Sequence, residues 1–185
     1  MRIVAGKFRG RALAAPEHEG LRPTADRVRE SIFNILAHGT DDFDLAGARV
    51  IDLFAGTGAL GLEAMSRGAA YCLFVEDSAQ ARGLIRQNIE AFGLMGGTRI
   101  FRRDACDLGP AGNIEPFDLA FLDPPYGKGL AEKSLQSLVQ GGWLTDGAIC
   151  VVEDRIGVPF TIPTGLVDFD QRFWGDTLVR FLRRD

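Results

Sequence analysis

Short apolar runs alternate along this chain with stretches whose apolar positions recur every three or four residues. The runs at 49–54, 71–76, 98–102, 117–122 and 148–153 read as buried strands. Between them, residues 62–67, 78–92 and 131–139 carry helical periodicity. In the second of these, Ser78 is placed to cap the helix, Leu84, Ile85, Ile89 and Phe92 share its inward face, and residues 93–97 end it with glycines. Strands alternating with helices predict an α/β fold, a doubly wound, mostly parallel sheet. Residues 166–173 and 177–182 form two further strand patterns around Trp174-Gly175-Asp176, which predicts an antiparallel hairpin on the sheet edge. Ahead of the sheet, residues 2–13 alternate basic and apolar positions broken by glycines, a short hairpin pattern. Residues 14–23 read as loop. Thr24 is placed to cap a helix over residues 25–38, with Val28, Ile32, Ile35 and Leu36 on one face, and residues 39–47 read as a linker. The expected division is residues 1–46 as an N-terminal extension and 47–185 as the main domain.

In doubly wound sheets, ligands bind at the carboxyl ends of the strands. Here those ends carry acids: Asp52 before a glycine-rich turn, Glu76, Asp104, and Asp123 in Asp123-Pro124-Pro125-Tyr126. The turn Gly56-Thr57-Gly58-Ala59-Leu60-Gly61 has the spacing G-x-G-x-x-G, in which glycines make a tight turn and let a ligand approach the backbone. Glu76 lies where an acid would hold the ribose hydroxyls of either NAD or S-adenosylmethionine (SAM). Asp52 separates the two, because a carboxylate there repels a pyrophosphate but attracts the cationic sulfonium and amino group of SAM. Asp104 is placed to accept from an adenine amino group. His18 and His38 both precede the turn, and no hydride-transfer group is evident. These features favour SAM over a dinucleotide.

The tetrapeptide at 123–126 follows a buried strand and precedes the loop Gly127-Lys128-Gly129. Proline fixes φ and donates no hydrogen bond, so the turn holds its carbonyls free to accept. Asp123 adds a side-chain acceptor and Tyr126 a flat face. Together they are the parts needed to grip an exocyclic amine of a flat heterocycle. The plain alternative is a strand-to-helix loop built from common turn residues.

Composition changes this picture in one respect. The net charge of −4 argues against nucleic acid, but residues 1–29 carry +4 and the remainder −8. That asymmetry suggests a basic arm on an acidic body, with Lys7, Arg9, Arg11, Arg22, Arg27 and Arg29 as candidate RNA contacts. Arg27 and Arg29 fall off the apolar stripe of their helix and are expected to face solvent or a partner. Cys72, Cys106 and Cys150 are odd in number and scattered; Cys72 and Cys150 are expected as buried thiols in a reducing cytoplasm. No paired-cysteine spacing suggests a metal site. No apolar stretch approaches the roughly 20 residues that span a bilayer, and the first residues lack a signal-peptide core. Nothing points to an oligomer, so a monomer is expected.

Asp52-Leu53-Phe54-Ala55-Gly56-Thr57-Gly58 together with Asp123-Pro124-Pro125-Tyr126 resembles the class I SAM-dependent methyltransferases that act on exocyclic amines. The stretch Leu21-Arg22-Pro23-Thr24-Ala25-Asp26-Arg27-Val28-Arg29-Glu30, with Arg9-Gly10-Arg11 and Ala59-Leu60-Gly61-Leu62-Glu63-Ala64, narrows the resemblance to the bacterial RsmD family. Members of that family methylate guanine N2 in small-subunit ribosomal RNA. The resemblance covers most of the chain. It implies SAM as cofactor, S-adenosylhomocysteine as product, and small-subunit (16S) ribosomal RNA or its assembly particle as partner. It also implies cofactor contacts at Asp52, Phe54, Ala55, Gly56, Gly58, Gly61, Glu76, Asp77, Asp104, Ala105 and Asp123. In that scheme Asp52 and the glycines line the methionine side, Glu76 holds the ribose, and Asp104 with Ala105 meets the adenine. Asp123, the Pro124 carbonyl, Pro125 and Tyr126 hold the target base. Adenine-N6 and cytosine-N4 enzymes often begin this motif with Asn, so Asp123 agrees better with guanine N2. Methylation of adenine N6 or cytosine N4 and an inactive nucleic-acid-binding protein of the same fold are the alternatives. An Asp of ordinary pKa, about 3.9, is a weak base at neutral pH, so Asp123 is expected to orient the amine before it accepts any proton.

Overall fold

Residues 1–18 and 23–185 are described in the computed structural model of the chain. Helix α1 is Pro23–His38, followed by β1 Arg49–Leu53, α2 Ala59–Ser66, β2 Tyr71–Val75 and α3 Ala79–Ala91. Then come β3 Thr98–Phe101, β4 Phe117–Leu122, α4 Leu130–Gln140, β5 Leu144–Arg155, β6 Leu166–Trp174 and β7 Thr177–Arg184. Among the described residues these strands make one seven-stranded sheet in the order β3-β2-β1-β4-β5-β7-β6. β1 pairs in parallel with β2 and β4, β2 with β3, and β4 with β5. β7 is antiparallel to both β5 and β6. The doubly wound, mostly parallel sheet and its closing antiparallel hairpin are therefore both present. Strand order reverses between β1 and β4, so the carboxyl ends of these two strands flank the crevice where such sheets bind ligands.

Several boundaries differ from the sequence expectation. α1 begins at Pro23, which leaves Thr24 in its first turn rather than at the cap; proline is well suited to that turn because its missing N–H is not needed there. α2 begins at Ala59, inside the glycine-rich segment rather than after it. β5 runs for 12 residues because Leu144 already pairs with Phe117 of β4 and Arg155 still pairs with Thr177 of β7. Ser78 caps α3 as expected, its side chain accepting the Ala81 N–H at 3.3 Å.

The two sheet faces bury separate cores. One holds Ile51, Leu53, Leu73, Val75, Leu122, Cys150 and Val152 against Leu135 and Leu138 of α4 and the buried Trp143. The other holds Val50, Cys72, Phe74, Leu119, Phe121, Ile149, Val151 and Val179, covered by Leu62 of α2, Ile85 and Ile89 of α3, and Val28, Ile32, Phe33 and Leu36 of α1. Ile3, Phe8 and Leu13 of the N-terminal arm join this second core, with Phe8 stacked on Phe92 at 5.1 Å. The arm makes a hairpin-like turn closed by a single bridge between Arg2 and Ala12. Among the described residues no helix is long and apolar enough to cross a membrane.

Candidate active site

The side-chain period of two along a strand builds the site. On the face covered by α1, Val50 is followed by Asp52 on β1, and Leu119 and Phe121 by Asp123 after β4. On β5 the same face carries Ile149, Val151 and then Glu153, and on β7 Val179 leads to Thr177. Apolar side chains fill the middle of the sheet, and polar ones emerge where the strands end. Asp52, Asp123, Tyr126, Glu153 and Thr177 accordingly line one cavity of about 780 Å³. That volume lies in the range of small-molecule and cofactor sites, roughly 300–1,000 Å³. Phe54, Ala55, Gly56 and Thr57 form one wall, and Ser78, Gln80, Ala81 and Leu84 of the α3 end another. Val28, Arg29 and Ile32 of α1, with Met1 and Pro16 of the arm, complete it.

The loop after β1 is held by two carboxylates. Asp52, 2% exposed, accepts the Gly61 N–H at 2.9 Å and so anchors the first turn of α2. Glu76 accepts the Gly56 N–H at 2.8 Å and the Ser78 N–H at 3.0 Å, joining the loop to the start of α3. Phe54 has φ 56, a left-handed conformation that costs an ordinary residue about 1–2 kcal/mol and turns the chain sharply out of β1. Gly56, at φ 58, leaves open the space a Cβ would occupy. Gly61 serves packing: a Cβ there would sit 2.5 Å from the Phe74 ring and 2.6 Å from the Cys72 sulfur. Gly58 likewise faces Phe74, Leu62 and Ile85. These two glycines seat α2 against β2 and lie outside the cavity lining. Glu76, Asp77, Asp104, Ala105, Pro124 and Pro125 also lie outside it. Asp104 accepts the Cys106 N–H at 2.8 Å, closing its own turn.

The cavity floor is strongly acidic. Burial pushes the Asp52 carboxyl well above the usual range, against the pull of the Gly61 N–H, and Asp123 and Glu76 push the same way. Asp123 is walled by protein yet its side chain opens onto the cleft. Burial and then the neighbouring Glu153 push it up to about 8. This corrects the expectation of an ordinary pKa at Asp123: a carboxylate so raised can take a proton near neutral pH. Glu153 is raised by burial, while the Tyr126 hydroxyl favours its ionised form. Burial and then these acids push the Tyr126 phenol up to about 12, so it stays protonated. Tyr126 is 45% exposed, its ring unspent on the core.

Glu153 and Thr177 were not among the residues singled out from the sequence. The sequence marks Glu153 only as an acid ending an apolar run; the pairing of β5 with β4 is what makes it the neighbour of Asp123. The α1 and arm walls had no such signal, because their place over the cavity is set by tertiary packing.

The candidate RNA contacts divide. Lys7, Arg9 and Arg27 are exposed. Arg11 is exposed as well, but its guanidinium donates to the Ala91 carbonyl at 2.6 Å and lies 4.5 Å over the Phe92 ring. Arg22 lies outside the described residues. Arg29 does not face solvent: it is 4% exposed, donates to the Arg2 carbonyl and to Asp26, and lies 3.5 Å from the fully buried Glu63. Glu63 in turn accepts the Val4 and Ala5 N–H groups at 2.9 Å. Arg29 therefore ties α1 and the arm to α2, the helix that carries the glycine loop. Among the described residues, no group of three or more His, Cys, Asp or Glu could hold a metal ion.

Comparison with known proteins agrees with this architecture. The family described as conserved hypothetical protein 95 matches residues 1–183. The chain is 39% identical over 188 residues to the ribosomal RNA small subunit methyltransferase D of Escherichia coli strain K12, covering all of this chain and 90% of that protein. It is 34% identical to the protein of the same name from Haemophilus influenzae, covering 88% of this chain and 83% of that one. The solved structure of Escherichia coli yhhF superposes with a TM-score of 0.84 and 32% identity, covering all of this chain and 98% of that one. The fold is that of the class I SAM-dependent methyltransferases.

Proposed function

The chain belongs to the RsmD family of ribosomal RNA methyltransferases, and from that premise we propose that it moves a methyl group from SAM to the exocyclic N2 amine of a guanine in small-subunit ribosomal RNA. The observation that carries this reading is the position of Asp123 and Tyr126 in the same cavity as Asp52 and the Gly56 loop. An amine grip thus faces a site suited to a cation.

The residues present fit SAM. The buried Asp52 and the acids around it favour a positively charged ligand, and the open space at Gly56 admits one close to the backbone. Asp52, Phe54, Ala55 and Gly56 would hold its methionine part, with Glu76 beside the loop as acceptor for the ribose. Asp77, Asp104 and Ala105 would meet the adenine only where it reaches past the cavity lining. When bound, SAM supplies a methyl group on a sulfonium, whose sulfur keeps the bonding electrons as the amine lone pair forms the new C–N bond.

The chain's own part is orientation and proton acceptance. A guanine N2 lone pair is delocalised into the ring; acceptors at Asp123 and the Pro124 carbonyl would turn the amine so that the lone pair faces the methyl. Pro125 stiffens that turn, and Tyr126 offers its ring to the base. Well-oriented reactants gain on the order of 7–11 kcal/mol. The proton released from the methylated amine would pass to Asp123, whose raised pKa suits that task. A base inside a folded RNA must first leave its stack, at a cost of a few kcal/mol. Phosphate contacts from Lys7, Arg9, Arg11 and Arg27 would offset that cost in a salt-dependent way. In this reading residues 1–46 bring the RNA and wall one side of the cavity, and residues 47–185 supply the acids and the glycine loop that hold the cofactor and do the chemistry.

The test is made in cells. Small-subunit RNA from cells lacking this chain should miss one N2-methylguanosine, which returns with the parent gene. An unchanged complement of N2-methylguanosine after deletion would overturn the proposal.

A further inference from the structure

Two acids stand side by side in the cavity lining. β4 and β5 run in parallel, and Leu122 opposite Val152 is their last registered pair. One residue further on, Asp123 and Glu153 come side by side, on the face that carries Phe121 and Val151. Both line the cavity, together with Tyr126. None of the ion pairs among the described residues includes either acid. Burial raises both carboxyls, and Glu153 raises Asp123 further, with no described ion pair to relieve either. A fold gains nothing from such a pair. A ligand that donates two adjacent hydrogen bonds gains from both.

We propose that Glu153 selects the base: its carboxylate accepts the N1–H of guanine while Asp123 holds the neighbouring N2 amine. This rests on the guanine-N2 reading and adds the residue that discriminates. Guanine presents two donors side by side, N1–H and N2–H. Adenine presents its N6 amine beside the N1 lone pair, and cytosine its N4 amine beside the N3 lone pair. A carboxylate next to Asp123 completes guanine's pair and meets the other two bases lone pair to lone pair. A protonated Glu153 would offer a donor and reverse the preference; the Tyr126 hydroxyl works against that by favouring the ionised form. The same tyrosine that offers its ring to the base therefore also tunes the acceptor at its edge.

The test uses acceptor RNA with guanine or 2-aminopurine at the target position. 2-Aminopurine keeps the amine but has a lone pair at N1 in place of N1–H. The parent should prefer guanine in kcat/KM by roughly 10- to 100-fold, as expected of one well-made base contact. Glu153→Gln can donate to N1 of 2-aminopurine, so its guanine preference should shrink towards parity. 2-Aminopurine also lacks O6, but that loss is common to both proteins, so the change in ratio reports on residue 153. A parent that methylates both bases equally well would overturn the proposal, and this comparison needs no variant. So would a Glu153→Gln protein that binds SAM as the parent does and keeps the parental ratio. A parent that methylates neither base would instead remove the guanine-N2 reading beneath it.

Discussion

Asn88 of α3, buried, donates to the Thr57 carbonyl of the glycine loop at 3.0 Å. The same side chain accepts the Ala14 N–H at 2.7 Å and donates to the Ala14 carbonyl at 3.2 Å. One amide thus joins the arm to the loop that walls the cavity. Asn88→Ala should cost about 1–3 kcal/mol in urea unfolding, the range for buried groups left without partners. SAM affinity should fall with it. Parental SAM affinity in a destabilised variant would mean that the amide holds the arm alone.

Asp52 sets function against stability. Its buried carboxyl is raised in the folded protein, so the folded state holds a proton that the unfolded state releases above about 3.9. Stability from this group is therefore greatest at low pH and falls as pH rises towards its folded pKa. Asn at this position keeps an acceptor for the Gly61 N–H without the charge. Asp52→Asn should match the parent at acidic pH and become the more stable protein, without cofactor, as pH increases. Its SAM affinity should drop. Thermal melts across pH and a binding titration check both halves.

Asp123→Ala should reduce methyl transfer by roughly 100- to 10,000-fold, the range for a lost acid–base group, while SAM affinity changes little. In the parent, the ionised Asp123 is the acceptor, so kcat/KM should rise with pH through a limb above the ordinary carboxylate range. Glu153 is the like charge that raises Asp123, so Glu153→Gln should move that limb to lower pH. A limb left in place would remove the electrostatic link between them.

The two ends of the basic stretch should behave differently. Arg9→Glu should weaken RNA binding and lower its salt dependence, because Arg9 is exposed and proposed to meet phosphate. Arg29→Ala should act on folding, costing about 1–3 kcal/mol, since it leaves the Arg2 carbonyl without its donor and removes one of two arginines from the buried Glu63, which keeps Arg67. Urea unfolding and filter binding at several salt concentrations separate the two effects.

The sheet was readable in the sequence because buried strands are short apolar runs, and 117–122 needed no adjustment at all. The acids at the strand ends were readable because they interrupt those runs. Arg29 was not: its position off the apolar stripe suggested solvent, and the buried Glu63 that draws it inward sits on another helix. Gly61 matched a ligand-binding pattern, but its lack of a side chain is needed for packing on Phe74 and Cys72. Glu153 depended on the pairing of β5 with β4, since only that neighbour makes it a partner of Asp123.

The most direct measurement is transfer of a labelled methyl group from SAM to unmodified small-subunit ribosomal RNA, naked and assembled with its proteins, followed by nucleoside identification. The account predicts label in N2-methylguanosine. Label in N6-methyladenosine or N4-methylcytidine would contradict it, because the paired acceptors at Asp123 and Glu153 would then face the wrong edge of the base.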